Sequence, residues 1–72
     1  MEKSPRLQWT LGADRIEARD DEGRVRIRAL ERKTYNELRA FDGEGNVLLA
    51  YARQRSTLGE LCDQALRNLL WA

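Results

Sequence analysis

Eleven of the thirteen basic residues in this 72-residue chain are arginines. Five of them alternate along two neighbouring segments: Arg15 and Arg19 around Glu17, then Arg24, Arg26 and Arg28. A guanidinium presents a planar fork of donors that matches phosphate or carboxylate. Farther on, Tyr35, Arg39 and Phe41 alternate with Glu37 between them. Guanidinium groups interleaved with aromatic rings on one open face suit single-stranded nucleic acid, with cations on phosphates and rings on unstacked bases. Other chemistry is poorly provided for. The chain has no His and a single Cys, Cys62, so it lacks an imidazole base, a Cys-His pair and a zinc knuckle. The acidic groups at Asp20, Asp21 and Glu22, and at Asp42 and Glu44 beside Asn46, read as turn chemistry rather than metal ligands. The sequence predicts no enzyme, no cofactor, no metal and no small-molecule substrate.

The arginines need a scaffold, and the apolar spacing supplies one. Leu7, Trp9 and Leu11 alternate with polar residues, as do Ile16 and Ala18, then Val25, Ile27 and Ala29. Residues 15–19 and 24–28 read as a hairpin across residues 20–23. A four-residue loop there opposes Glu17 to Arg26, Arg19 to Arg24 and Arg15 to Arg28. A three-residue loop would set Ala18 against Arg26 and is rejected on that ground. Residues 35–41 and 47–53 read as a second hairpin. The run at 47–52 is apolar on both faces, so the sequence predicts cover on both: the helix on one and a second subunit on the other. A helix over 47–55 is the rival reading, since Leu and Ala are good helix formers.

Leu58, Leu61, Cys62, Ala65, Leu66, Leu69 and Leu70 repeat at helical spacing, and Thr57 with Glu60 forms a capping box. The expected fold is α+β: a small two-layer domain in which an antiparallel β-meander of four to five strands packs on one C-terminal α-helix. The whole of 1–72 is read as a single domain, with a disordered tail at 1–5, the sheet within 6–54 and the helix at 57–71. No internal repeat is evident. Trp71 falls off the apolar stripe and, with Val47, Leu48, Leu49 and Tyr51, makes the expected subunit interface. The lone Cys, the lack of an N-terminal apolar run and the longest apolar stretch of only six residues at 47–52 predict a cytoplasmic protein without a membrane span.

Residues 16–27, with Arg19-Asp20 ending one strand, Gly23-Arg24-Val25 restarting the next, and Ser56-Thr57-Leu58 entering the helix, resemble the positive-cofactor-four family of transcriptional coactivators and the whirly proteins. The resemblance covers well under half of the chain and lacks the family's Pro- and Lys-rich entry to the last strand. It implies a curved antiparallel sheet that binds single-stranded DNA, dimerises through its helices and uses Arg15, Arg19, Arg24, Arg26 and Arg28 along the phosphate backbone.

The sequence reading is therefore a homodimeric module for single-stranded DNA or RNA, using Arg15, Arg19, Arg24, Arg26, Arg28, Tyr35, Arg39 and Phe41. On this reading, replacing Arg24, Arg26 and Arg28 by Ala abolishes binding and spares the fold. Two alternatives stay open: a protein-interaction module built on residues 47–52 and the helix, and an arginine face that is merely solvated and salt-bridged.

Overall fold

The computed structural model describes residues 6–54 and 56–68. Five strands, β1 (Gln8–Leu11), β2 (Arg15–Arg19), β3 (Val25–Glu31), β4 (Asn36–Phe41) and β5 (Val47–Arg53), precede one helix, α1 (Leu58–Asn68). The strands form one antiparallel meander in the order β1-β2-β3-β4-β5, so β1 and β5 are its edges. This is the expected α+β architecture with all five strands formed. Residues 47–53 are strand, which removes the helical alternative. The calls placed on residues 1–5, Leu69, Leu70 and Trp71 lie outside the described residues.

Alternation decides which side chains form the core. Ala18, Ile27, Ala29, Leu38 and Ala40 point to one face of the sheet and are fully buried against Leu61, Cys62 and Ala65 of α1. Leu7, Ile16, Leu49, Tyr51 and Leu58 fill in around them. Thr57 caps the helix as its spacing predicts, its Oγ1 accepting from the Glu60 N–H at 3.1 Å. The Asn36 side-chain amide donates to the Ser56 carbonyl, tying the start of β4 to the segment before α1. The helix packs over β4 and β3 and reaches β2.

The hairpin register differs from the sequence expectation. Arg15 opposes Leu30, Ile16 Ala29, Glu17 Arg28 and Ala18 Ile27. The loop is the three-residue kind after all: Asp20 N–H bonds Arg24 O at 3.0 Å, and Gly23, at φ 81°, carries the left-handed residue. The clash of Ala18 with Arg26 is avoided because a β-bulge follows. Arg19 pairs with Val25 and Ala18 with Ile27, so Arg26 is the extra residue of the bulge. The like-charge pairs Arg19 with Arg24 and Arg15 with Arg28 therefore do not form.

The second hairpin repeats the first. Asp42 N–H bonds Asn46 O at 2.9 Å, Gly45 stands at φ 87°, Phe41 pairs with Val47 and Ala40 with Leu49, leaving Leu48 as the bulged residue. Ala18, Asp20, Glu22, Gly23 and Val25 recur as Ala40, Asp42, Glu44, Gly45 and Val47, at a constant offset of 22. The expectation that no repeat exists is thus corrected. Within one chain, Leu49 and Tyr51 of β5 pack against the core while Val47, Leu48, Ala50 and Ala52 are exposed.

Candidate nucleic-acid interface

The face of the sheet away from α1 carries Thr10, Glu17, Arg28, Arg39 and Ala50 in one row across all five strands, each residue directly paired with the next. Arg15, opposite Leu30, and Arg19, opposite Gln8, lie on the same face. The eight residues expected to contact nucleic acid fall into distinct groups.

Arg24 and Arg26 are used by the fold. Asp20 Oδ2 accepts from Arg24 Nε at 3.0 Å and from Arg26 Nη1 at 3.2 Å, while Oδ1 accepts the N–H groups of Glu22 and Arg24. Arg26 is only 2% exposed, and its Nε donates to the Phe41 carbonyl at 3.0 Å. Arg24 also reaches Glu22 at 3.4 Å and donates from Nη1 to the Gly43 carbonyl at 2.6 Å, joining the two hairpin loops. Burial works to raise the Asp20 pKa, but the bonds from Arg24, Arg26 and Glu22 outweigh it and bring it down to about 2. Alanine at Arg24 and Arg26 therefore attacks the hairpin itself. The triple substitution cannot serve as the clean binding test that the sequence suggested.

Arg19 and Arg28 share one carboxylate. Glu17, itself buried, accepts from Arg28 Nε at 3.1 Å and from Arg19 Nη2 at 3.2 Å. Burial pushes the Glu17 pKa up, but these two guanidinium groups win and it lies below the ordinary carboxylate range. Both arginine side chains remain substantially exposed. Glu37, the other acid on the face, is taken by Arg32, whose Nε and Nη2 both donate to Oε1.

Arg39 and Arg15 are exposed, and among the described residues neither is in an ion pair. Arg39 stands directly opposite Arg28. Like charges facing across a sheet are destabilising, so this row carries uncompensated positive charge. Phe41 is half-buried at one end of β4, and Tyr35 is exposed in the turn before its other end. Beside Arg39 the face becomes apolar: Ala50 and Ala52 are exposed, and Leu48 is 48% exposed. Of the expected interface residues, Val47 and Leu48 are exposed, whereas Leu49 and Tyr51 lean toward the core. Tyr51 Oη accepts from Asn68 at 2.6 Å, and Arg53 stacks 5.4 Å from the Tyr51 ring centre.

Sequence reasoning missed two features. Asp20 organises the first loop, a role signalled by its recurrence as Asp42, which binds the Glu44 and Asn46 N–H groups in the same way. On the helix side, Trp9, Leu11, Ile16, Cys62 and Leu66 line a groove of about 470 Å³, left because α1 does not cover β1. Cys62 borders it as an inert thiol, its pKa raised to about 11 by burial and the neighbouring Asp63. Among the described residues, no group of three or more His, Cys, Asp or Glu is placed to hold a metal ion. No described helix is long and apolar enough to cross a membrane.

No family model, curated protein or solved structure matches the chain. The case for function therefore rests on the face itself.

Proposed function

We propose that this chain is a non-enzymatic, cytoplasmic module that binds single-stranded nucleic acid on the open face of its sheet. The observation that carries the reading is Arg39 placed directly against Arg28 with no carboxylate of its own, while Glu17 is already shared by Arg19 and Arg28. A face that keeps Arg39, without a carboxylate, against a second arginine at its centre gains stability when an anion arrives. The adjoining Leu48, Ala50 and Ala52, with Phe41, offer apolar surface for bases. Acidic side chains left exposed, such as Asp21, Glu22 and Glu44, belong to the loops. The phosphate contacts fall to Arg15, Arg28 and Arg39, with Arg19 at the margin.

The test is fluorescence anisotropy of a labelled mixed-sequence single-stranded oligonucleotide at two salt concentrations. Binding should weaken steeply with salt, and Arg39→Ala should lower the affinity. No binding by the unaltered chain at low salt overturns the reading. A second reading, a protein-interaction module, is favoured by one observation: β5 exposes Val47 and Leu48 on a sheet edge that carries no charge before Arg53.

A further inference from the structure

Edge strands are normally guarded by Lys, Pro, inward charges, bulges or very short length, because their unpaired N–H and C=O groups invite another strand. β5 is seven residues long, has neither Pro nor any charge before Arg53, and confines its bulge to Leu48 near one end, leaving residues 49–53 regular. Val47 is 55% exposed, and Ala50 and Ala52 are open on the arginine face. Its side chains are also self-complementary. About a two-fold axis perpendicular to the sheet, opposed residues must share a face, and an overlap centred on residues 48–52 sets Ala50 against the partner's Ala50. Leu49 then meets the partner's Tyr51 and Leu48 the partner's Ala52, while Val47 lies beyond the bulge at Leu48. Large residues meet on the helix side, small ones meet at the axis, and no like charges oppose each other.

We propose that β5 pairs with β5 of a second copy of this chain and that the pairing completes the nucleic-acid site. This rests on the function proposed above. Arg39 pairs directly with Ala50. The central row therefore continues through Ala50 and the partner's Ala50 to the partner's Arg39 and the partner's Arg28. Three inter-strand steps place the two Arg39 Cα atoms about 14 Å apart. Between them lies a floor made by Leu48, Ala50 and Ala52 from each copy. One copy alone supplies cations on one side of an apolar strip that stops at a raw edge. Two copies supply cations on both sides of a continuous strip, so one strand of nucleic acid can place phosphates at both margins and bases between.

Sedimentation velocity at micromolar concentration should show a dimer. Val47→Lys with Ala52→Lys should give a folded monomer, since both positions are exposed, and folding is checked by circular dichroism. Although this variant adds two positive charges, it should bind the oligonucleotide about tenfold more weakly or worse, through lost bivalency. Its salt slope should fall to about half. As an independent check, Ala50→Cys treated with diamide should form a covalent dimer. Residues directly opposed across a sheet lie about 4.5–5.5 Å apart at Cα, within disulfide reach. Ala52→Cys should cross-link far less, because it faces the partner's Leu48.

A monomeric unaltered chain that still binds overturns this inference and leaves the functional reading standing. A dimer that persists in the lysine variant, with no Ala50→Cys cross-link, places the contact elsewhere, such as the Trp9 and Leu11 groove, and also overturns it. Dissociation with unchanged affinity refutes the completed site. A β5 dimer that binds no oligonucleotide refutes the functional reading instead.

Discussion

The Arg26 guanidinium meets the Asp20 carboxylate at 3.2 Å with both side chains withdrawn from water. This buried pair, with the further bond from Arg26 to the Phe41 carbonyl, fastens the first hairpin loop to β4. Removing one member of such a pair strands the other, at a cost of about 3–5 kcal/mol. A domain of this size has a total stability of about the same magnitude. Arg26→Ala should therefore be largely unfolded in urea titrations, while Arg15→Ala, at an exposed arginine with no ion pair among the described residues, should shift the midpoint little. Equal midpoints for the two variants would refute the structural role given to Arg26.

Acid should reveal the same network. The folded Asp20 has a pKa of about 2, against 3.8 for an ordinary aspartate. A depressed carboxylate pKa means that the unfolded chain takes up its proton first as pH falls. The stabilisation is present in full above the unfolded value and is lost as pH drops from about 4 towards 2. Glu17 and Asp42, also lowered, act in the same direction. Thermal midpoints of the unaltered chain and Asp20→Asn, measured from pH 6 to pH 2, should converge below pH 4. A constant gap across that range would remove Asp20 from the account.

The two hairpins share one loop geometry, so equivalent substitutions should behave alike. Gly23 and Gly45 have positive φ, and a Cβ at either would meet nothing within 4 Å. Alanine should cost each loop about 1–2 kcal/mol, from backbone strain alone. Gly43 differs: a Cβ there would approach Arg24 Nη1 at 3.3 Å and press on the bond between the loops. Chemical denaturation of the three variants would show whether Gly23→Ala and Gly45→Ala match each other.

Period-two alternation was enough to place the first three strands and the 58–68 stripe with Thr57 was enough to place the helix, whereas β5, apolar on both faces, carried no alternation to separate it from a helix. Alternation also put Ile16, Ala18, Ile27 and Ala29 on the core side, and a register error of two residues leaves those faces unchanged. The same error changed every cross-strand partner on the open face. It came from treating the strands as regular: a bulge adds a residue without changing composition, and only the recurrence of Asp20, Gly23 and Val25 as Asp42, Gly45 and Val47 hinted at it. The fate of each arginine was illegible for a related reason. Charge patterning marks the face that Arg26 and Arg28 share, but burial of the first depends on how the loop folds the Asp20 carboxylate back onto it. Trp9 and Leu11 are exposed although they alternate like a half-buried strand, because alternation cannot show how far one short helix extends across five strands.

Arg39 is where folding and binding should pull in opposite directions. It opposes Arg28 across β3 and β4, and Glu17, the nearest compensation, belongs to Arg28 and Arg19. Relieving that repulsion makes Arg39→Ala no less stable than the unaltered chain, with an equal or slightly higher thermal midpoint at low salt. The same substitution removes one phosphate contact. The slope of log affinity against log salt should become shallower by about 0.7 per lost contact on a single strand. Arg24→Ala should do the reverse, because its bonds to Asp20 and the Gly43 carbonyl serve the loops: a lower thermal midpoint with an unchanged salt slope. Paired melting curves and salt titrations of these two variants separate a binding arginine from a structural one. A lower midpoint for Arg39→Ala with an unchanged slope would return the open face to an ordinary solvated surface.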